Sequence, residues 1–343
     1  MSERRRIAII GLGMAVTPHA RSLADLHDRV EVAYAFSRSG ARRRAFAERF
    51  AFPLADDLGS IERDPSIGAV MILTPPSTHL ELVERFAAAG KHILLEKPLE
   101  RSTERAEALV AAAESAGVRL GVVFQHRFRE ASLALRARQE QGGLGALAAV
   151  NVICPWWRPQ SYYDEPGRGT LARDGGGVLI TQAIHTLDLL LSLTGPVAEV
   201  AAICGTTSTH RMETEDFAGA GLRFANGALG ALLATTAAYP GFPERIELIG
   251  TRSTAVLFAG SLAVHHHDGR VERLGEEQAT GAGADPMAFP HDAHRALLAD
   301  FLDALDQDRD PKASGREALK VHRFIDAVLQ SSQERRAVSL AEA

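Results

Sequence analysis

Short apolar runs broken by glycine and proline alternate with segments of helical period through the first third of the chain. Ile7–Ile10 is a continuous apolar run, as a parallel strand covered on both faces requires. It leads into Gly11-Leu12-Gly13-Met14-Ala15-Val16 and then a helix with Pro18 in its first turn, where a missing N–H costs little. Val30–Phe36, Gly68–Leu73, the run Ile93-Leu94-Leu95 and Val118–Phe124 read as four further strands. Helical segments lie between them, at Leu80–Ala89, stopped by Gly90, and at about Thr103–Ala116, closed by Gly117. Strand and helix in turn predict a doubly wound parallel sheet over residues 1–125.

From residue 126 the pattern changes. Ala131–Glu140 reads as a helix and Ala146–Pro155 as a strand with Val150, Val152 and Cys154 on alternate positions. Val178–Leu191 reads as one α-helix after the loop Asp174-Gly175-Gly176-Gly177. Alternating segments follow at Val197–Ile203, Asp216–Phe224, Ala228–Thr236, Arg245–Gly250, Ser253–Leu257 and Ser261–His267, with a hairpin signal at Asn226-Gly227. Helices at His294–Asp306 and Arg316–Gln330 close the chain. The prediction for 126–343 is an α+β domain with a large open, mostly antiparallel sheet, whose C-terminal helices pack back toward the first domain.

Composition narrows the classes. The chain has 343 residues, 46% hydrophobic and 24% charged, with a net charge of −5 and a pI near 6.2, which argues against nucleic acid or an acidic membrane as partner. Two cysteines make no disulfide framework and suit a reducing compartment. No apolar run reaches the length of a membrane span, and Arg4-Arg5-Arg6 precedes an apolar stretch too short for an export signal, so the expectation is a cytoplasmic protein. His265-His266-His267 invites a metal, but neighbouring strand residues point to opposite faces, so no metal is expected.

The candidate chemistry sits at strand ends, where open α/β sheets bind ligands. In G-x-G-x-x-G, the first glycine permits the turn and the second lets the backbone approach a pyrophosphate; Val16 replaces only the third. The second strand ends in Ser37-Arg38-Ser39 with Arg42, Arg43 and Arg44 behind, not in the carboxylate that binds a ribose 2′-hydroxyl. A hydroxyl and a guanidinium would hold a 2′-phosphate, so NADP is favoured over NAD. The third strand ends in Thr74-Pro75-Pro76 with His79 close by, and the fourth in Glu96-Lys97-Pro98. Only four residues are lysine, Lys91, Lys97, Lys312 and Lys320, in a chain that otherwise uses arginine. Lys97 is a desolvated ammonium at a ligand or a surface cation paired with Glu96. Both tryptophans and two of four tyrosines fall in Trp156–Tyr163, a stretch suited to sugar faces and to a core or subunit contact alike. Gln182, His185 and Asp188, three apart, share a helix face, with Thr181 one turn before the histidine; Asp188 is placed to orient the His185 ring.

The Gly11/Gly13 turn, His19, the Thr74-Pro75 loop with His79 and Glu96-Lys97-Pro98 together resemble the Gfo/Idh/MocA oxidoreductases over nearly the whole chain. The resemblance implies an NAD(P)-dependent dehydrogenase of a sugar, sugar acid, nucleotide sugar or cyclic polyol. It makes Lys97 and His185 the catalytic pair. Cofactor contacts fall on Gly11, Gly13, Met14, Ala15, Ser37 and Arg38, and on Thr74, Pro75, His79, Glu96, Lys97 and Gln125 at the later strand ends. Substrate contacts fall on Arg127, Trp157, Tyr163, Arg168, Thr181, Gln182 and His185. The family commonly has Asp where this chain has Thr181, a departure at the proton path. The block from Tyr162 to Thr186 is most similar to members that oxidise nucleotide-linked amino-sugar uronates. Relatives of the same fold include NAD-dependent glycosidases, which release no reduced cofactor, and regulatory binding proteins, which need neither Lys97 nor His185. A homodimer or homotetramer through the second domain's sheet is expected.

Overall fold

The computed structural model describes residues 4–287 and 289–340. The chain forms two compact units, Met1–Gln125 with His291–Leu319, and His126–Pro290 with Lys320–Ala343.

The first unit is built on five parallel strands, β1 (Arg5–Ile10), β2 (Val30–Phe36), β3 (Ala69–Ile72), β4 (His92–Leu95) and β5 (Leu120–Val122), in the order β2-β1-β3-β4-β5. The apolar runs are buried on both faces, with Ile9, Ile10, Met71, Ile72 and Ile93 among the largest enclosed side chains. The strand order reverses between β1 and β3, the switch point at which such sheets bind ligands. Gly11, Thr74, Glu96-Lys97 and Gln125 follow the carboxyl ends of β1, β3, β4 and β5. The late helix Asp292–Asp306 packs on Val16–Asp25 and brings Phe301 against β5. Gly121 makes room for it, since a Cβ there would meet the Phe301 ring at 3.0 Å.

The second unit carries nine strands: β6 (Leu147–Pro155), β7 (Val197–Gly205), β8 (Phe217–Phe224), β9 (Leu229–Thr235), β10 (Arg245–Gly250), β11 (Ser253–Phe258), β12 (Ser261–His266), β13 (Val271–Leu274) and β14 (Val338–Ser339). Their order is β13-β12-β11-β10-β6-β9-β8-β7-β14, antiparallel except for the β6–β9 pair. One face packs on helices, burying Val150, Val152, Cys154, Leu232 and Ala234. On the other face, register aligns Ile153, Leu233, Gly219 and Ile203 in one row, with Ile153 and Ile203 exposed.

Two expectations are corrected here. The segment after the triple glycine is not a single α-helix: Leu179–Ala183 is a π-helical turn, and the α-helix runs Ile184–Thr194. By length and composition, Leu171–Thr194 could cross a membrane, contrary to the reading that no run is long enough; 78% of its apolar window is buried inside the protein, the position of a core helix.

Candidate active site

The turn after β1 is shaped for close approach. Gly11 has φ +104°, and a Cβ on it would meet the Leu73 carbonyl at 2.7 Å, so only glycine lets β1 and β3 converge there. Gly13 has nothing within 4 Å of where a Cβ would stand, which leaves its backbone open. Ala15 caps the helix Val16–Asp25 without any side-chain hydrogen bond; Val16 N donates to the Gly13 carbonyl at 3.3 Å and Pro18 has no N–H, which leaves the Thr17 amide for an anion. Met14, in the same turn, is 51% exposed. At the end of β5, Gln125 is buried and its Oε1 has no partner among the described residues. A cradle that a Cβ would fill, an uncapped amide at a helix start and an orphaned amide oxygen all fit a dinucleotide.

At the tip of β2, Ser37 is buried and its Oγ accepts from Ser39 N at 3.3 Å. Arg38 is exposed, and Arg43 folds back onto the Ser37 carbonyl at 2.5 Å. No carboxylate occupies 37–39.

Beyond β4, Glu96 and Lys97 are half-buried. Burial pushes the Glu96 carboxyl up to about 7, against the opposing charge of Lys97, and burial pushes His19 down to about 4. Glu96 Oε2 lies 4.0 Å from His19 Nε2, and neither atom has a hydrogen-bond partner among the described residues. Thr74 is half-buried and Pro75 exposed. His79, expected at the cofactor, is fully buried instead. Its Nε2 faces the Thr74 carbonyl at 2.8 Å, and its Nδ1 faces those of Pro98 and Leu99 at 3.0 Å. It ties two ligand-side loops together and has no surface to offer a ligand.

In the second unit, the His185 helix is anchored at its start. Glu215 accepts from Gly177 N at 3.0 Å and Leu179 N at 3.2 Å, while its carbonyl takes Val178 N at 2.8 Å. Burial raises the Glu215 carboxyl above its ordinary range, against those amides. A side chain on Gly177 would overlap the Glu215 carbonyl. Thr181 donates to the Gly177 carbonyl at 2.7 Å, inside the π turn. His185 is half-buried, with the His126 ring 5.1 Å away.

Several expected substrate residues lie in buried networks. Arg127 binds Asp188 through Nε and Nη2, both at 2.6 Å, with both side chains buried; a fully enclosed ion pair replaces the substrate contact expected of one and the His185-orienting role expected of the other. Tyr163 is buried and shares a 2.7 Å hydrogen bond with Thr236. Gln182 accepts from Arg158 at 2.9 and 3.2 Å and donates to Tyr162 at 2.8 Å. Trp157 is half-buried between His210 and Tyr239. Arg168 lies 4.1 Å over the Tyr162 ring and pairs with Glu165 at 2.6 Å. The roles of Glu215, Arg158 and the His126–Arg129–Glu244 cluster escaped the sequence reading. The acidic pair Glu215-Asp216, entering an apolar strand, was the available signal for the first.

A switch-point sheet with this turn is a dinucleotide-binding unit. The chain belongs to the GFO/IDH/MocA oxidoreductase family: the family's NAD-binding Rossmann-fold model matches residues 5–124 and its C-terminal domain model residues 132–256. It is a nicotinamide-dependent oxidoreductase. Inositol 2-dehydrogenase of Rhizobium meliloti is 26% identical over 98% of this chain and 99% of that protein. D-apiose dehydrogenase of Paraburkholderia graminis is 27% identical over 98% of this chain and 90% of its own length. Among solved structures, the WlbA dehydrogenase from Bordetella pertussis in complex with NADH and UDP-GlcNAcA is 27% identical, with a TM-score of 0.84 covering 99% of this chain and 100% of that one.

Proposed function

We propose that the protein oxidises or forms a secondary alcohol on a sugar, sugar acid, nucleotide sugar or cyclic polyol, with NADP as its preferred cofactor. The observation that carries this reading is placement: Lys97 follows the carboxyl end of β4, where an open α/β sheet takes its ligand, and His185 stands in the first turn of the α-helix that Glu215 anchors, both of them half-buried. His185 takes the hydroxyl proton. Lys97 polarises the substrate oxygen and lowers the cost of developing alkoxide charge. The Gly11–Ala15 turn and the Thr17 amide after it hold the pyrophosphate; Ser37 and the exposed Arg38 favour a 2′-phosphate. When bound, the nicotinamide supplies the hydride acceptor or donor. A nucleotide-linked sugar acid is the favoured substrate class, supported by the end-to-end similarity to the Bordetella dehydrogenase bound to UDP-GlcNAcA. The apolar row on the open sheet face supports pairing with a second copy.

The test is turnover of nucleotide sugars, sugar acids, sugars and polyols with NAD and NADP separately, followed at the nicotinamide absorbance. Lys97→Ala and His185→Ala are each expected to lose about 10²–10⁴-fold in kcat while still binding cofactor. Near-normal rates in both variants would overturn the site assignment, and a strong preference for NAD would overturn the cofactor assignment.

A further inference from the structure

His126 stands in the turn Gln125–Phe128 and is buried. Its Nε2 lies 2.7 Å from Nη2 of Arg129. A guanidinium has donors only and does not give up its proton in proteins, so Nε2 must present its lone pair. The ring is therefore neutral, with its proton on Nδ1. Arg129 is held from behind by the Glu244 carboxylate, itself buried. The other oxygen of Glu244 has no partner among the described residues, and Glu244, His126, Arg129, Ser132 and Thr186 contribute to the lining of a cavity of about 20 Å³, room for one water. On its other side the His126 ring lies against His185, centroids 5.1 Å apart and planes 30° from parallel.

The geometry points to His126 as a positioning residue for His185: an uncharged ring, locked by Arg129 and Glu244, that fixes the plane of the working imidazole. This rests on the reading of His185 as the base. Protonating His126 would set two N–H donors head-on beside a permanent cation, so His126 stays uncharged while Arg129 is in place. The other charged groups around the pair do not change this. Arg127, next to His126 in its turn, and Asp188, three residues along the His185 helix, neutralise each other. The Cys154 thiol is pushed far up by burial and stays protonated.

The experiment compares His126→Ala, His126→Phe and Arg129→Met, with melting midpoints recorded alongside. His126→Ala should lower kcat by about ten- to a hundredfold, the scale of a misplaced catalytic group, with cofactor KM unmoved. His126→Phe, which keeps a flat ring, should recover most of that loss. In Arg129→Met the lone pair of His126 is uncovered, so the acid limb of kcat/KM should steepen from one proton to two. An Ala variant as fast as the parent, a Phe variant no better than Ala, or an Arg129→Met profile superimposable on the parent's would each overturn the inference. His185→Ala separates the two readings. If it retains its rate, the base assignment falls; if it is inactive while His126→Ala is fully active, only the positioning role falls.

Discussion

Burial shifts Glu96 and His19 in opposite directions, each toward its uncharged form. The Glu96 carboxyl is pushed from an ordinary value near 4.5 up to about 7, and His19 from 6.5 down to about 4. Folded Glu96 therefore holds a proton that the unfolded chain releases. Its stabilising effect is complete below about pH 4.5 and is lost as pH rises through 7. His19 runs the other way, with its effect complete above 6.5 and lost as pH falls through 4. Glu96→Gln removes the first dependence only. Relative to the parent, it should gain on the order of 3 kcal/mol at pH 8 and nothing at pH 4.5, read from denaturant melts at the two pH values. A parent and variant that track each other across that range would exclude Glu96 as the titrating group. At this scale the sequence marks Lys97 plainly, because an apolar strand ends abruptly in charge. It does not mark the roles of His79 or Arg127. Those are decided by carbonyls 19 and 20 residues away and by a carboxylate 61 residues away, partners that no local pattern contains.

Among elements, the segment that carries His185 shows where periodicity stops being informative. Val178–Leu191 has nine apolar residues among its fourteen, and their spacing suits a five-residue π turn as well as an α turn. What selects the π turn is tertiary, since Glu215, in the loop before β8, clamps amides at Gly177 and Leu179 from 36–38 residues later. The β-strands were legible where burial alternates, as in β10 and β11. They were illegible in β13, four mostly exposed residues, and in the two-residue β14. Two glycines separate architecture from binding. A methyl on Gly177 collides with the Glu215 backbone, so Gly177→Ala should cost about 3 kcal/mol or more and abolish turnover. A methyl on Gly13 meets open space, so Gly13→Ala should melt within about 1 kcal/mol of the parent while losing cofactor affinity. Thermal melts and a cofactor fluorescence titration read both effects. Unaltered binding in Gly13→Ala would remove the turn from the cofactor site.

For the molecule as a whole, the doubly wound sheet and the open sheet follow from patterns that local physics enforces, continuous apolar runs for strands covered on both faces and alternation for strands covered on one. The same alternation leaves a surface unexplained by the single chain. Ile203 is 76% exposed, Leu229 53% and Ile153 39%, and all three point away from the packed face. Between β7 and β9, Gly219 and Gly221 of β8 add no side chains, so the row lies flat across neighbouring strands. Exposed apolar side chains such as these, on a flat sheet face, suit self-pairing about a two-fold axis. A stable homodimer needs roughly 800 Å² per partner, an area that a face of this many strands can supply. Light scattering should therefore report a dimer or tetramer for the parent. Ile203→Arg combined with Leu229→Arg should shift it to monomer with its far-UV spectrum intact, because both side chains already face outward. A monomeric parent, or a double variant that keeps the parent's mass, would show that this face pairs with something other than a second copy.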